Sequence, residues 1–275
     1  MVYQLKQPQE AVSLFEGWHE TMIWSCLQGV MGCIYADSRT HPASARAVLG
    51  DFHYFAGKPD KELLLYQLPA PGMCPPSCER RDFGIFVPGH EGWAELIKEC
   101  FAQKAVKVLR YAFRKDISGR KSFDVKMLQE AAGNVPDGFE LRMMDEALFM
   151  QCRETAWCRD WAAQYEDYAQ YRRYGLGAVL LKDGEPVSGA SSYSGFCGGI
   201  EIEIDTRKDW RRRGFAFLCG ARLILECLDR GWYPAWDAQN RQSAALACRL
   251  GYQPDGTYEA YEVTSGKAAG VHEPE

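Results

Sequence analysis

Apolar and polar positions alternate most sharply along Ile200-Glu201-Ile202-Glu203-Ile204-Asp205-Thr206. A period of two puts three isoleucines on one face of a strand and three carboxylates on the other. Two strand-like runs precede it, at 176–181 and 187–193, joined by Asp183-Gly184, a dipeptide that tolerates the positive φ of a tight hairpin turn. After Gly214 the period becomes that of a helix. Phe217, Leu218, Ala221, Ile224, Leu225 and Leu228 share one face, with Arg222, Glu226 and Asp229 opposite and Gly231 as the stop. A short strand over 233–238 follows. Asn240 then caps a second helix, whose inward positions Ser243, Leu246, Ala247 and Leu250 end at Gly251.

Upstream, 139–144 reads as a strand. Residues 145–173 read as a helical stretch in which Trp157, Trp161, Tyr165 and Tyr168 recur at steps of three or four, a stripe assigned to the core. The first part of the chain mixes helical stretches such as 90–105 with strand-like runs at 83–87 and 106–113, an α/β pattern. Pro69, Pro71, Gly72, Pro75 and Pro76 make 67–81 a surface loop. Gly133-Asn134-Val135-Pro136-Asp137-Gly138 breaks both periods and reads as the interior linker. The expected division is therefore an α/β domain over 1–132, a second domain over 133–263, and an unstructured tail over 264–275.

Composition narrows the function classes. A 275-residue chain that is 47% hydrophobic and 25% charged is ordinary for a soluble globular protein. A formal charge of -5 argues against a nucleic-acid partner. No apolar run is long enough to span a bilayer and the start lacks a secretory pattern, so no membrane partner and a cytoplasmic location are expected. The eleven cysteines are scattered and odd in number, and Cys219, Cys227 and Cys248 lie in apolar stretches; reduced thiols are expected. Cys74 and Cys78 lack companion ligands, so no metal site is expected.

The local charge is more telling. Glu201, Glu203 and Asp205 are followed at once by Arg207, Lys208, Arg211, Arg212 and Arg213. Where a strand feeds a helix through Arg211-Arg212-Arg213-Gly214-Phe215-Ala216, free backbone N–H groups and a positive helix end suit a pyrophosphate, and the arginines add charge-assisted bonds.

This order resembles the GNAT N-acetyltransferase superfamily. Arg211, Gly214 and Ala216 fill its Arg/Gln-x-x-Gly-x-Gly/Ala signature. Asn240, Ser243, Leu246-Ala247 and Leu250-Gly251-Tyr252 are similar to its next motif. Ser188-Gly189-Ala190-Ser191 and Pro234-Ala235-Trp236-Asp237-Ala238 bring the chain nearest to the group containing the zwittermicin A resistance acetyltransferase. The resemblance covers residues 139–263. It implies a mixed, mostly antiparallel sheet flanked by helices, with acetyl-CoA as acyl donor in a V-shaped opening between the fourth and fifth strands. Ile204, Asp205 and Thr206 would meet the pantetheine. Backbone N–H groups of Arg211, Arg212, Arg213, Gly214, Phe215 and Ala216 would hold the diphosphate, Asn240 and Ser243 would reach the pantetheine or phosphate arm, and Arg249 the nucleotide phosphate. The activity implied is acetyl transfer to a small-molecule amine by direct attack in a ternary complex.

A proton must leave the amine before attack, and Glu203 or Glu201 is the candidate base; the alternative is that these carboxylates only line a wet sheet face. Ala247 stands where many members of the superfamily carry a tyrosine acid, which leaves Tyr252, Tyr258, Tyr261 or solvent for that task. Two other functions stay open: a coenzyme A-binding sensor or scaffold, and an aminoacyl-tRNA-dependent transferase. A weak echo of 243–252 in Ser44-Ala45-Arg46-Ala47-Val48-Leu49-Gly50-Asp51-Phe52 hints that the N-terminal part is a degenerate copy of the same fold. Asp37, Gly50-Asp51-Phe52 and Phe55-Ala56-Gly57 read as turns rather than as an acceptor pocket.

Overall fold

One order of strands and helices occurs twice along the chain. The computed structural model describes residues 1–115 and 123–264. In the first occurrence β1 (Tyr3–Gln4), a 3-10 segment (Pro8–Phe15) and α1 (Thr21–Gln28) lead to β2 (Cys33–Ala36), β3 (Ser44–Leu49) and β4 (Phe52–Gly57). Then come α2 (Lys61–Leu65), β5 (Phe83–Pro88), α3 (Glu91–Phe101) and β6 (Ala105–Phe113). β1 to β4 pair antiparallel in succession, and β4 pairs parallel with β5.

After α4 (Val125–Gly133), the second occurrence runs through β7 (Phe139–Met143), α5 (Glu146–Glu154), α6 (Tyr168–Tyr174), β8 (Gly177–Lys182), β9 (Glu185–Phe196) and β10 (Gly199–Thr206). It closes with α7 (Phe215–Asp229), β11 (Tyr233–Ala235), β12 (Asp237–Ala238), α8 (Arg241–Leu250) and β13 (Pro254–Thr264). β7 to β10 are antiparallel in succession, and β10 pairs parallel with β11.

The chain forms two compact units, Tyr111–Thr257 and the remainder. Tyr111 and Ala112 of β6 pair with β12 inside the second unit. Residues 258–264 belong to the first unit, where Tyr261–Thr264 of β13 runs antiparallel to β5. Residues 133–138, expected to divide the domains, join α4 to β7 within the second unit, because Leu128, Met127 and Ala131 of α4 pack into its core. The expected tail lies, beyond Thr264, outside the described residues. The echo between 44–52 and 243–252 is not a structural equivalence, since it sets a strand against a helix. Strand order carries the repeat instead.

Trp93, Phe55 and Phe86 centre the first unit's core. Cys33 and Cys78 form a disulfide there, which corrects the expectation of reduced thiols throughout. The loop after α2 is brought to β2 by packing that spacing cannot reveal: the Ser77 hydroxyl accepts from Gly32 N at 3.2 Å, and the Ser77 carbonyl accepts from Gly50 N at 2.8 Å. In the second unit the apolar stripe of α7 covers Ile200 and Ile202 of β10 together with Ala178, Leu180 and Ala190. Asp183 and Gly184 take φ of 52° and 82°, as their turn requires. Asp145 caps the expected start of the 145–173 helix, accepting from Leu148 N at 2.9 Å, but the helix is broken inside, where Asp167 caps a new one by accepting from Gln170 N at 2.8 Å. Thr155 closes the first piece by bonding back to the Gln151 carbonyl at 2.7 Å.

Candidate active site

Among the described residues, β10 has strand partners on both sides only at its start. Gly199, Ile200 and Glu201 pair with β11; beyond Glu201 that side has no registered partner, because the neighbouring chain turns away at Trp236 and pairs as β12 with β6. The single expected strand over 233–238 is therefore two short ones serving two sheets. Ile204, Asp205 and Thr206 lie along the diverging half of β10 and keep β9 on their other side. The Ser188 hydroxyl braces this end, lying 2.7 Å from Thr206 Oγ1 and donating to the Asp205 carbonyl at 3.2 Å.

The strand then enters a 3-10 turn, Lys208–Trp210, and a left-handed residue, Arg212 at φ 62°, before Gly214 at φ 82° starts α7. Among the described residues no side chain caps this helix. Left-handed residues interspersed in a turn gather N–H groups into a concavity that suits an anion, and a Cβ at Gly214 would meet nothing within 4 Å. The residues present thus fit a diphosphate. The arginines divide their work. Arg207 is spent on a two-pronged pair with Asp209 at 2.8 and 2.9 Å, and Arg211 Nε donates to the Thr206 carbonyl at 3.1 Å. Arg213 lies over the Trp210 ring and Arg249 over Phe217, each 4.7 Å from the centroid. Phe215 contributes only backbone, because its ring is buried against Phe139 at 5.0 Å.

Asn240 and Ser243 lie at the start of α8, beyond the diverging strand. Asn240 Oδ1 accepts from Ser243 N at 2.8 Å, so this carbonyl serves the helix, and the Ser243 hydroxyl accepts from Trp236 Nε1 at 3.2 Å. The structure thus holds the two groups together by the cap, apart from the α7 turn in their bonding. Ala247 is fully buried among apolar side chains. The buried Tyr252 hydroxyl donates to the Pro234 carbonyl at 2.7 Å, and burial holds its pKa well above the usual range. Tyr258 and Tyr261 belong to the first unit.

The carboxylates of β10 face a roof that the sequence did not disclose. Glu201, Glu203 and Asp205 stand opposite Ser194, Ser191 and Gly189 of β9, and directly opposed residues share a face. Trp161 covers Gly189 so closely that a Cβ there would lie 2.5 Å from the indole. Ser191 Oγ donates to the Trp161 carbonyl at 2.7 Å and meets the Tyr171 hydroxyl at 2.8 Å, and Tyr165 donates to Ser192 Oγ at 2.8 Å. Glu201, farther along the row opposite Ser194, is only 4% exposed. Burial lifts the Asp205 carboxyl to about 6, opposed by Arg211 and aided by Asp160. The one signal for the roof was Gly189, since a glycine inside a strand marks a close approach. The Asp205 carboxyl was missed because that residue was assigned only a backbone role.

A sheet that splays beside an uncapped, cation-flanked helix start defines a class, and the family comparison agrees: the model for GNAT acetyltransferase matches residues 12–261, and the chain belongs to that family. The match runs through both units. A GCN5-related N-acetyltransferase-like protein from Streptococcus suis is similar over 94% of this chain and 98% of its own, at 41% identity and a TM-score of 0.84. YdfB of Bacillus subtilis, an uncharacterized N-acetyltransferase, is 27% identical over 88% of this chain and 89% of its own. A tandem GNAT protein from the clavulanic acid biosynthesis pathway is 11% identical, covers 98% of this chain and all of its own (100%), and has a TM-score of 0.51, a likeness of fold alone. The chain is thus a GNAT-type N-acetyltransferase. Among the described residues no helix is long and apolar enough to cross a membrane.

Proposed function

We propose that this acetyltransferase uses acetyl-CoA to acetylate a small-molecule amine by direct attack in a ternary complex. The observation that carries the reading is the divergence of β10 from β11 immediately before the uncapped start of α7. When bound, the donor supplies an activated acetyl thioester. Amides of Arg211, Arg212, Arg213, Gly214, Phe215 and Ala216 would hold its diphosphate, with Arg211 and Arg213 supplying positive charge. The diverging edge at Ile204, Asp205 and Thr206 would meet the pantetheine, and Asn240 and Ser243 would reach the arm with whatever their cap leaves free.

The acidic face under Trp161 supports a cationic acceptor. Glu203 is the base of choice, because it lies on the diverging half of β10, with Glu201 next to it on the same face at the fork. Either carboxylate would hold the ammonium group and then take its proton at a carboxylate oxygen. With Ala247 offering no donor, solvent returns a proton on the other side.

The test is a thermal-shift titration with acetyl-CoA, followed by trapping of acetylated product from a panel of amines. Acetyl-CoA is expected to raise the melting temperature of the wild type. Gly214→Val and Gly214→Asn should each abolish the rise; asparagine tolerates the left-handed backbone, so its loss of binding cannot be ascribed to unfolding. An undiminished rise in the Asn variant discredits the turn as the diphosphate site, and binding without any product identifies a sensor.

A further inference from the structure

The first unit repeats the family's strand order but lacks its donor site. β4 and β5 stay paired through Phe55 and Pro88, and Gly89 N donates to the Phe55 carbonyl at 2.8 Å, so nothing diverges. The start of α2 is occupied by a carboxylate of the chain itself, Asp60, which accepts from Leu63 N at 2.8 Å. An anion is repelled where the second unit would attract one.

What the unit does possess is an open cavity of about 750 Å³ at the carboxyl end of β5. Ligands of open α/β sheets collect outside the carboxyl ends of strands, and the size suits a small organic molecule. Trp18 forms one wall. Its ring is held edge-on by Phe15 at 5.9 Å and Tyr54 at 6.0 Å, and a Cβ on Gly89 would come within 2.9 Å of it. Tyr258 adds a second aromatic surface. Glu16, Glu20, Glu91 and Glu259 line the cavity together with the ammonium groups of Lys98 and Lys107 and the imidazoles of His19 and His90, and Glu20 accepts from His19 N at 3.0 Å. Lys107 is already committed to Glu259. His90 is held in place, with its Nδ1 accepting from Gly92 N at 3.1 Å and its Nε2 3.0 Å from the Gly57 carbonyl. Surplus carboxylates beside fixed aromatic rings recognise an organic ammonium ion by charge and by cation–π attraction.

We propose that the first unit is a binding module for a compact organic amine, held at Trp18 between Glu16 and Glu91, with no acetyl donor of its own. The assignment stands independently of acetyl transfer. The test uses the full chain carrying fluorine-labelled tryptophan, with Trp18→Phe to assign the Trp18 resonance. Putrescine and tetramethylammonium are the probes, and sodium chloride controls for ionic strength. The Trp18 signal should move saturably with at least one probe and not with salt, and the double variant Glu16→Gln, Glu91→Gln should weaken that response roughly tenfold or more. A Trp18 signal that ignores both probes, or a double variant that titrates like the wild type, overturns the proposal. Acetylation is not read at any step, so failure here and failure of the transferase reading are separable.

Discussion

Asp205 owes its chemistry to the glycine it faces. Because Gly189 has no side chain, Trp161 descends onto β9, and the neighbouring carboxyl is drawn from water, which lifts it to about 6. The native state then binds a proton that the unfolded chain, at an ordinary carboxylate pKa, has already released. The resulting stabilisation is complete below about pH 4 and is lost as pH rises through about 6. Asp205→Asn should therefore melt like the wild type in acid and become the more stable protein above neutrality, by on the order of 2 kcal/mol. Melting curves of both proteins from pH 4 to 8 check this, and a difference that does not grow with pH would remove the buried carboxyl from the account. The carboxylate alternation was legible because period two is a property of neighbours in sequence. The roof was not, because the contact between Trp161 and Gly189 is made only when a distant segment folds over the strand.

At the scale of elements, the two strand-to-helix turns of the repeat make opposite use of one position. Gly214 leaves the amides of α7 without a cap, whereas Asp60 consumes those of α2. One acetyl-CoA per chain is the expected stoichiometry, measured by titration calorimetry; two equivalent sites would show that the sealed β4–β5 pair opens. The turn before α7 could be read directly, since glycine, cations and a change of period fall together there. The broken helix between 145 and 174 could not, because an aromatic stripe at helical spacing outweighed the two aspartates that each begin a new helix. Strand 233–238 was legible as extended chain, but its division at Trp236 depends on which partners take Ala235 and Asp237.

For the whole molecule, the repeat was expected from an echo that does not carry it, because nearly all its likeness is topological: helix lengths, turn residues and caps differ between copies, while the succession of antiparallel and parallel pairings persists. The linker at 133–138 was a sound reading of local backbone chemistry, yet compactness is decided by packing, and α4 sides with α7. A fragment ending at residue 132 should therefore lack the β13 strand that borders β5 and should not form a stable monomer; solution of that fragment as a cooperative, soluble monomer by calorimetry and sedimentation would contradict the assignment. The return of the final strand has a temporal side as well. Residues 258–264 follow the whole second unit in order of synthesis, so the N-terminal unit, although made before it, keeps an uncovered β5 border until the second unit has been made.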